Sequence, residues 1–401
     1  MKVLMLTPYL PYPLLSGGQI RTYNLLKKLS TQHEITLFAL IKNEAEKEHI
    51  PELQQYCSEV KVFRRSETPF TLKNILKTAF SSFPFLVIRN HVPEVISAVK
   101  KELTKHNYDL IHAETFYMMP HIPATKTPIL LVEQTIEYLG YESYAKKAPI
   151  FLRPFLSIDI AKIRYWEQYY WNLCQRLIVM SDGDKEAIAP NVQQAKKIEV
   201  VENGVDTQWF AEKAHQEAAQ PTVLSVGTFK WLPNVEAVSF LVEQVWPKIS
   251  KLMPSAQLHI VGNAPTDKVI AYGKSDSQIK VIGRIPDIRD AFKSAHVLAA
   301  PVFSGKGTRY KILGAMATET PIVATSIATE GLGVADGVEV MIANTADEMA
   351  TKIVQLLKHK SQRVALAKAG KAFVTKKYNW QLIAKKLDRI YQTITTPEPT
   401  A

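Results

Sequence analysis

The chain has 401 residues, 46% of them hydrophobic and 22% charged, with only two cysteines and a formal charge of +11. Its length exceeds one ordinary core and suggests two or three domains of a soluble globular protein. The composition excludes a disulfide framework or a structural zinc site, and no apolar run approaches the roughly 18–20 residues of a bilayer span.

The positive excess is spread evenly, with 25 Lys and Arg against 20 Asp and Glu in residues 1–200 and 24 against 18 in the remainder. A nucleic-acid binder would concentrate that charge and interleave aromatics, so no nucleic-acid partner is expected. The excess serves either solubility or contact with anionic substrates and an anionic membrane surface.

The first segment, Met1 to Leu6, reads as a strand rather than a signal peptide, and the cytoplasm is the expected compartment. Short β-branched runs then alternate with helical patterns, the signature of parallel βαβ units. Strands are expected at residues 3–6, 35–40, 60–63, 110–113, 129–133, 177–180 and 199–201. Residues 20–29 carry Leu25, Leu26 and Leu29 at helical spacing. Residues 155–173, with Trp166, Trp171 and several tyrosines, read as a long helix whose aromatics suit packing between domains. A second series follows Gly204, with strands at 223–226, 257–261, 280–282, 297–300, 321–324 and 338–342. Helices are expected at 234–252, 288–294, 308–318 and 346–357, and the polar stretch 211–221 reads as a linker. The tail after Ile394, with Pro397 and Pro399, is expected to be disordered. The fold class is therefore α/β, two Rossmann-like domains facing across a cleft, with ligands at the carboxyl ends of the strands.

The loops at those ends hold the candidate chemistry. The stretch from Thr7 to Gln19 contains Gly17 and Gly18 just before a helix, where bare backbone N–H groups approach an anion or a sugar, or simply make a tight turn. It lacks G-x-G-x-x-G, so dinucleotide binding is not supported. His112 and Glu114 share one side of a strand end, and Glu133, Gln134 and Glu137 close the next strand as acceptor candidates. Asp182 and Asp184 imitate a metal-binding D-x-D pair but suit helix capping better. The Asn203-Gly204 turn reads as a hinge, and Lys230, after Gly227, either reaches a diphosphate or is solvated. The richest segment runs from Ser304 to Met316. Gly305 and Gly307 free the backbone, and Lys306, Arg309 and Lys311 add charge to a helix N-terminus. It is not a Walker A loop, and a diphosphate site is its physical reading.

These residues resemble, along nearly the whole chain, the retaining GT-B glycosyltransferases of family 4. The likeness lies in the Gly17-Gly18 loop, Ile111-His112-Ala113, Glu202 to Asp206, Val226-Gly227-Thr228 with Pro233-Asn234, and Ile260-Val261-Gly262. It continues through Gly305 to Met316, Thr320 to Thr325 and Glu330-Gly331-Leu332, nearest the branch whose donor loop reads G-G-G-T-R-L-K-I-L-E-A-M-A. The resemblance implies an acceptor domain over 1–202, a donor domain over 203–377, and a terminal helix over 378–394 returning to the first. It implies a nucleotide diphosphate sugar as donor substrate, a glycan, lipid-linked or small-molecule acceptor, and neither a metal nor a resident cofactor. Lys230, Arg309 and Lys311 would stabilise the leaving diphosphate, and His112 would contact the transferred sugar or acceptor. Gly17, Gly18, Gly227, Gly305, Lys306, Gly307, Thr308 and Glu330 would seat the donor. Glu114, Gln134 and Glu137 would meet the acceptor.

The chain departs from the family where Lys306 and Gly314 stand in place of two glutamates and where Gln134 lies in a stretch that often reads E-H-N-x-E. Loss of a ribose-binding carboxylate at Gly314 is expected to weaken the nucleotide by about 1–3 kcal/mol. Two alternatives follow: a catalytically impaired GT-B protein that binds a glycan or nucleotide for a partner, and a sugar-nucleotide epimerase of related fold. If the missing carboxylate is the defect, Gly314→Glu should restore activity.

Overall fold

The computed structural model describes all residues except 214–215, 305–309 and 396–401, and only the backbone of Lys147 and Thr395. The tail expected to be disordered falls mostly outside these described residues. The chain forms two compact units: unit 1 is Met1–Asn203 with Trp380–Ala401, and unit 2 is Gly204–Asn379.

Unit 1 holds seven parallel strands: β1 Lys2–Thr7, β2 Glu34–Ile41, β3 Glu59–Arg64, β4 Leu110–Glu114, β5 Ile129–Glu133, β6 Arg176–Val179 and β7 Ile198–Val200. Their order is β3-β2-β1-β4-β5-β6-β7. β1, β4 and β5 are buried almost end to end, which is why they read as unbroken apolar runs rather than alternating ones. Unit 2 repeats the plan with β8 Thr222–Val226, β9 Gln257–Val261, β10 Ile279–Gly283, β11 Val297–Ala300, β12 Ile322–Ala324 and β13 Met341–Ile342. Its order, β10-β9-β8-β11-β12-β13, is that of the first six strands of unit 1. Strand order reverses at β1/β4 in one sheet and at β8/β11 in the other, the switch points where open α/β sheets take ligands.

The final helix, Trp380–Thr395, belongs to unit 1. Trp380, Ile383, Leu387, Ile390 and Tyr391 form its buried stripe, at the spacing of one helix face. The stripe lies on helix Gly17–Leu29 and the β4 region. The segments by which the chain enters and leaves unit 2 are paired: Val205 donates to the Tyr378 carbonyl, and Asn379 Nδ2 to Thr207 Oγ1 at 2.6 Å.

The structure alters three details of the expected elements. The helix at 234–252 is Leu232–Phe240 and Trp246–Leu252 joined by a π turn, in which the Trp246 N–H reaches the Leu241 carbonyl five residues back. Pro247 lacks an N–H and crowds the carbonyl four residues before it, so a widened turn accommodates it. The strand at 338–342 shrinks to Met341–Ile342, because Gly337, at φ 76°, turns the chain and its N–H bonds the Val340 carbonyl. The aromatic helix, Arg153–Leu173, divides its aromatics: Phe155, Tyr165 and Tyr169 are exposed, and Trp166, Tyr170 and Trp171 pack within unit 1. Trp171 is buried, and Trp166 lies against Phe83 while donating to the Ser82 carbonyl.

At the carboxyl edge of unit 2 the backbones of two loops touch. A Cβ added to Gly262 would stand 1.6 Å from the Gly227 carbonyl oxygen, and that oxygen belongs to main chain that cannot swing aside. Gly262→Ala should therefore cost at least about 1–3 kcal/mol, read as a lower urea midpoint at unchanged m-value.

Candidate functional site

In unit 1, β1 and β4 are neighbours with Met5 opposite His112 and Leu6 opposite Ala113, so the loops that follow them are adjacent. The β4 end carries Thr115 at φ 72°, an unfavourable region for a β-branched residue that costs about 1–3 kcal/mol and collects at functional sites.

The expected pairing of His112 with Glu114 is present, Nε2 to Oε1 at 3.1 Å. Tyr391 of the last helix lies 2.5 Å from His112 Nδ1. The carboxylate accepts from Nε2–H, and the Tyr391 hydroxyl bonds Nδ1. Gln134 continues the chain, donating to Glu114 Oε2 at 2.7 Å and to Tyr9 Oη at 2.6 Å. His112, Glu114 and Tyr391 are completely buried. Both ring nitrogens of His112 are therefore engaged inside the protein, and in this arrangement neither is left for a sugar hydroxyl. That departs from the expected direct contact, and His112 serves here to hold Glu114 and Gln134. Burial pushes the Glu114 carboxyl up, but the His112 bond and charge, Arg21 and Gln134 outweigh it and leave it below the usual range. Arg21 is 1% exposed and donates to the Glu202 carbonyl and Asn203 Oδ1 at 2.9 and 3.1 Å.

Gly17 and Gly18 open helix Gly17–Leu29, capped by Ser16. A Cβ on Gly18 would lie 2.5 Å from Tyr9 Oη and 2.6 Å from Gln134 Oε1. The glycine thus lets the helix start press against this network. Gln134 belongs to it, as the sequence suggested, but Glu137 does not. Glu137 opens helix Glu137–Lys147, whose N-cap Ile136 offers no capping side chain. Instead Glu167, from helix Arg153–Leu173, accepts the N–H groups of Glu137 and Tyr138 at 2.7 and 3.1 Å. Burial pushes Glu167 up to about 8 and Glu137 up to about 7, with Arg89 pulling the latter back. Asp182 and Asp184 occupy the first turn of helix Asp182–Ile188, where Asp184 bonds its N-cap Ser181.

In unit 2, Gly227 and Thr228 follow β8, and Lys311 starts the helix after β11. Asn234 joins them: its Nδ2 donates to the Thr228 carbonyl at 2.9 Å, and its Oδ1 accepts from Lys311 Nζ at 2.8 Å. A Cβ on Gly227 would meet Asn234 Cγ at 2.8 Å, so the glycine lets the asparagine bridge the switch point. Lys230 is exposed in the same loop, and Glu330 is exposed beyond β12. Gly305, Lys306, Gly307, Thr308 and Arg309 lie outside the described residues.

Gly314 is buried in helix Tyr310–Ala317. A Cβ there would stand 3.2 Å from Phe292 and 3.4 Å from Phe210, two rings in edge contact at 6.2 Å. The position is lined by these two rings, so a side chain there must first shift Phe292 by a few tenths of an ångström. Sequence reading missed Tyr9, Arg21, Asn234 as a bridge, Glu167 and Tyr391. Only the Pro233-Asn234 pair carried a signal.

Two outcomes follow. Gly314→Glu should lose about 1–3 kcal/mol, because its Cβ crowds the Phe292 ring; calorimetry reads this as a lower Tm. The raised carboxyls of Glu137 and Glu167 bind protons in the folded state that the unfolded chain has released above its ordinary range near 4.5. Their contribution is complete below that range and is lost as pH rises through about 7 to 8. Glu167→Gln keeps the capping oxygen, so its stability, measured by urea titration between pH 5 and 8.5, should fall less steeply with pH than that of the wild type.

The comparisons with known proteins agree with this geometry. Residues 15–209 match the model of Glycosyltransferase Family 4, and residues 220–359 match that of Glycosyl transferases group 1. A phosphatidyl-myo-inositol mannosyltransferase of Mycobacterium tuberculosis is 26% identical over 206 residues, 48% of this chain and 53% of the relative. The chain thus spans about half the length of that curated relative. Over 98% of this chain, its fold is shared by the sucrose-phosphate synthase of Thermosynechococcus elongatus, with a TM-score of 0.69, 16% identity and 99% of that chain covered. Anabaena Alr3699/HepE in complex with UDP and glucose shares it too, with a TM-score of 0.64, 17% identity and coverage of 98% of this chain and all of that one. With twin parallel sheets wound alike, glycine-opened loops at both switch points and family matches over each unit, the chain belongs to the family 4 glycosyltransferases of GT-B fold.

Proposed function

We propose that this protein transfers a sugar from a nucleoside diphosphate donor, held by unit 2, to an acceptor hydroxyl brought by unit 1. The observation that supports it most directly is the Gly227–Asn234–Lys311 bridge at the β8/β11 switch point. It holds an ammonium group where an anionic ligand of such a sheet would lie. A GT-B neighbour carrying UDP and glucose supports the same donor class.

The chemistry is mostly electrostatic. As the bond from the anomeric carbon to the diphosphate breaks, negative charge grows on the leaving oxygen, and Lys311 and Lys230 stabilise it. The same oxygen takes the proton of the acceptor hydroxyl, so the nucleophile enters on the face the diphosphate leaves and configuration is retained. The donor is a substrate, and the reaction needs neither metal nor resident cofactor. Gly17, Gly18, Gly227 and Glu330 contact the donor, and the Glu114–Gln134–Tyr9 network shapes the acceptor side. The acceptor is a glycan or lipid-linked sugar at the cytoplasmic face of a membrane, and no helix among the described residues is long and apolar enough to cross one.

The Gly314 substitution bears on how tightly the nucleoside is held and leaves the phosphate-facing lysines in place. A panel of nucleotide sugars should therefore yield one donor that raises Tm and is turned over, the product retaining the donor's anomeric configuration by NMR. Lys311→Ala should lower kcat about 100-fold with that donor. Stabilisation by no nucleoside diphosphate, or full activity in Lys311→Ala, would overturn the proposal.

A further inference from the structure

Away from the His112 network, the carboxyl edge of unit 1 carries a second polar cluster. Arg65 directly follows β3 and donates from Nη1 to Asn90 Oδ1 at 2.8 Å. Arg89 lies one residue before Asn90, in helix Phe85–Asn90. The Nε of each arginine is buried and has no hydrogen-bond partner among the described residues. Burial, and after it the charge of Arg89, lowers the Arg65 pKa. Tyr117, beyond β4, and Tyr141, on the helix after β5, share their field. Glu46 faces Arg65, and Glu137 faces Arg89, but burial holds the Glu137 carboxyl up to about 7. Two forked cations with buried spare donors outweigh Glu46 and one half-neutral carboxyl, and guanidinium geometry suits phosphate.

The arginine site adjoins a large apolar surface. Helix Leu72–Phe80 buries only Asn74. Leu72 and Phe80 are 73% and 90% exposed, and Phe70, stacked on Phe85, is 78% exposed. Lys162 holds this helix to helix Arg153–Leu173 by donating to the Thr78 and Ser81 carbonyls at 2.7 Å. Phe151, Phe155 and Ile158, at the start of that second helix, are 61–73% exposed. Such a surface exceeds the scattered apolar residues of an ordinary monomer. Between Glu67 and Glu94 the chain has no acid, but has Lys73, Lys77 and Arg89; between Glu142 and Asp159 it has none, but has Lys146, Lys147 and Arg153. Asp159 is the acid at this face, and it accepts from the Phe85 N–H at 2.8 Å; an apolar helix face accompanied by these cations matches an anionic lipid surface.

We propose that Arg65 and Arg89 bind the phosphate of an amphiphilic acceptor whose hydrocarbon part lies in a membrane against the ridge of Leu72–Phe80 and Phe151–Ile158. The inference rests on the reading of unit 1 as the acceptor unit. It names the acceptor as a phosphate-bearing lipid and gives its headgroup and chain separate contacts.

The test is flotation of the full chain with phosphatidylcholine vesicles, with and without a polyprenyl monophosphate, and competition by soluble methyl phosphate. Wild-type protein should bind the phosphate-bearing vesicles at least about tenfold more tightly than the neutral ones. Arg65→Gln/Arg89→Gln should lose that difference, Arg65→Lys/Arg89→Lys should keep part of it, and Phe70→Ser/Phe80→Ser should weaken binding to both vesicles. The Tm rise with a nucleoside diphosphate, unchanged in each variant, checks that the fold and donor unit are intact. Wild-type-like vesicle binding by the double-glutamine variant overturns the arginine site. Methyl phosphate competing as well as the lipid phosphate overturns the lipid assignment in favour of a soluble anion. A wild-type protein that no nucleoside diphosphate stabilises overturns the transferase reading itself, whatever the vesicles show.

Discussion

A parallel strand cannot be followed by its neighbour through a tight hairpin, because the chain must first return to the opposite end of the sheet. All thirteen strands described here obey that constraint, so every loop leaving a strand emerges on the carboxyl edge of its own sheet. The remaining architecture follows. Reversal of strand order parts the loops after β1 and β4, and after β8 and β11, and leaves a notch between neighbouring strand ends. Glycines at 18, 227 and 262 sit where these edges crowd, and each faces an atom within 3 Å of the Cβ it lacks.

Within unit 1 that geometry brings charge inside. Arg21 and Glu114 are both buried, and each is costly alone. They coexist because the field of one offsets the other and because hydrogen bonds occupy both Glu114 oxygens and Arg21 Nη1, while Arg21 Nε and Nη2 are buried with no partner among the described residues. Loss of any single member would expose the rest to an uncompensated desolvation penalty. The network is therefore better suited to fixing a surface shape than to moving a proton through it. His112, locked from both sides, orients its neighbours, and the network ends further out at Gln134, Tyr9 and the glycine-opened helix start.

How much of this was legible varies with the range of the interaction. A strand buried on both faces announces itself as an apolar run, as at 129–133, and a half-buried one by alternation, as Leu258 and Ile260 alternate with Gln257 and His259, so both were read to the residue. The helix at Glu137–Lys147 was not, because its cap is Glu167, thirty residues away, and its own sequence lacks a capping signal. Helix Leu72–Phe80 has an apolar face at helical spacing, but that face covers no core of this chain. The His112–Glu114 pair was visible because a strand places i and i+2 on one side. Arg21 looked like any polar residue on a surface helix, since its partners lie more than 180 residues on. Gly314 was legible as a departure from the family, but the aromatic pair lining the position was not. Phe210 and Phe292 belong to helices far from it in sequence.

The pairing of His112 with Tyr391 spans 279 residues, and unit 2 is inserted between them. During synthesis the first seven strands emerge and can collapse early, but the helix that seals the β4 end leaves the ribosome only after all of unit 2. Until then the histidine has one ring nitrogen without its phenol, and the groove on helix Gly17–Leu29 stays open to solvent. Emergence of helix Trp380–Thr395, rather than completion of either sheet, is the event that finishes unit 1. A nascent chain stalled before Trp380 would carry an assembled unit 2 and an unfinished unit 1, and would present that groove to chaperones.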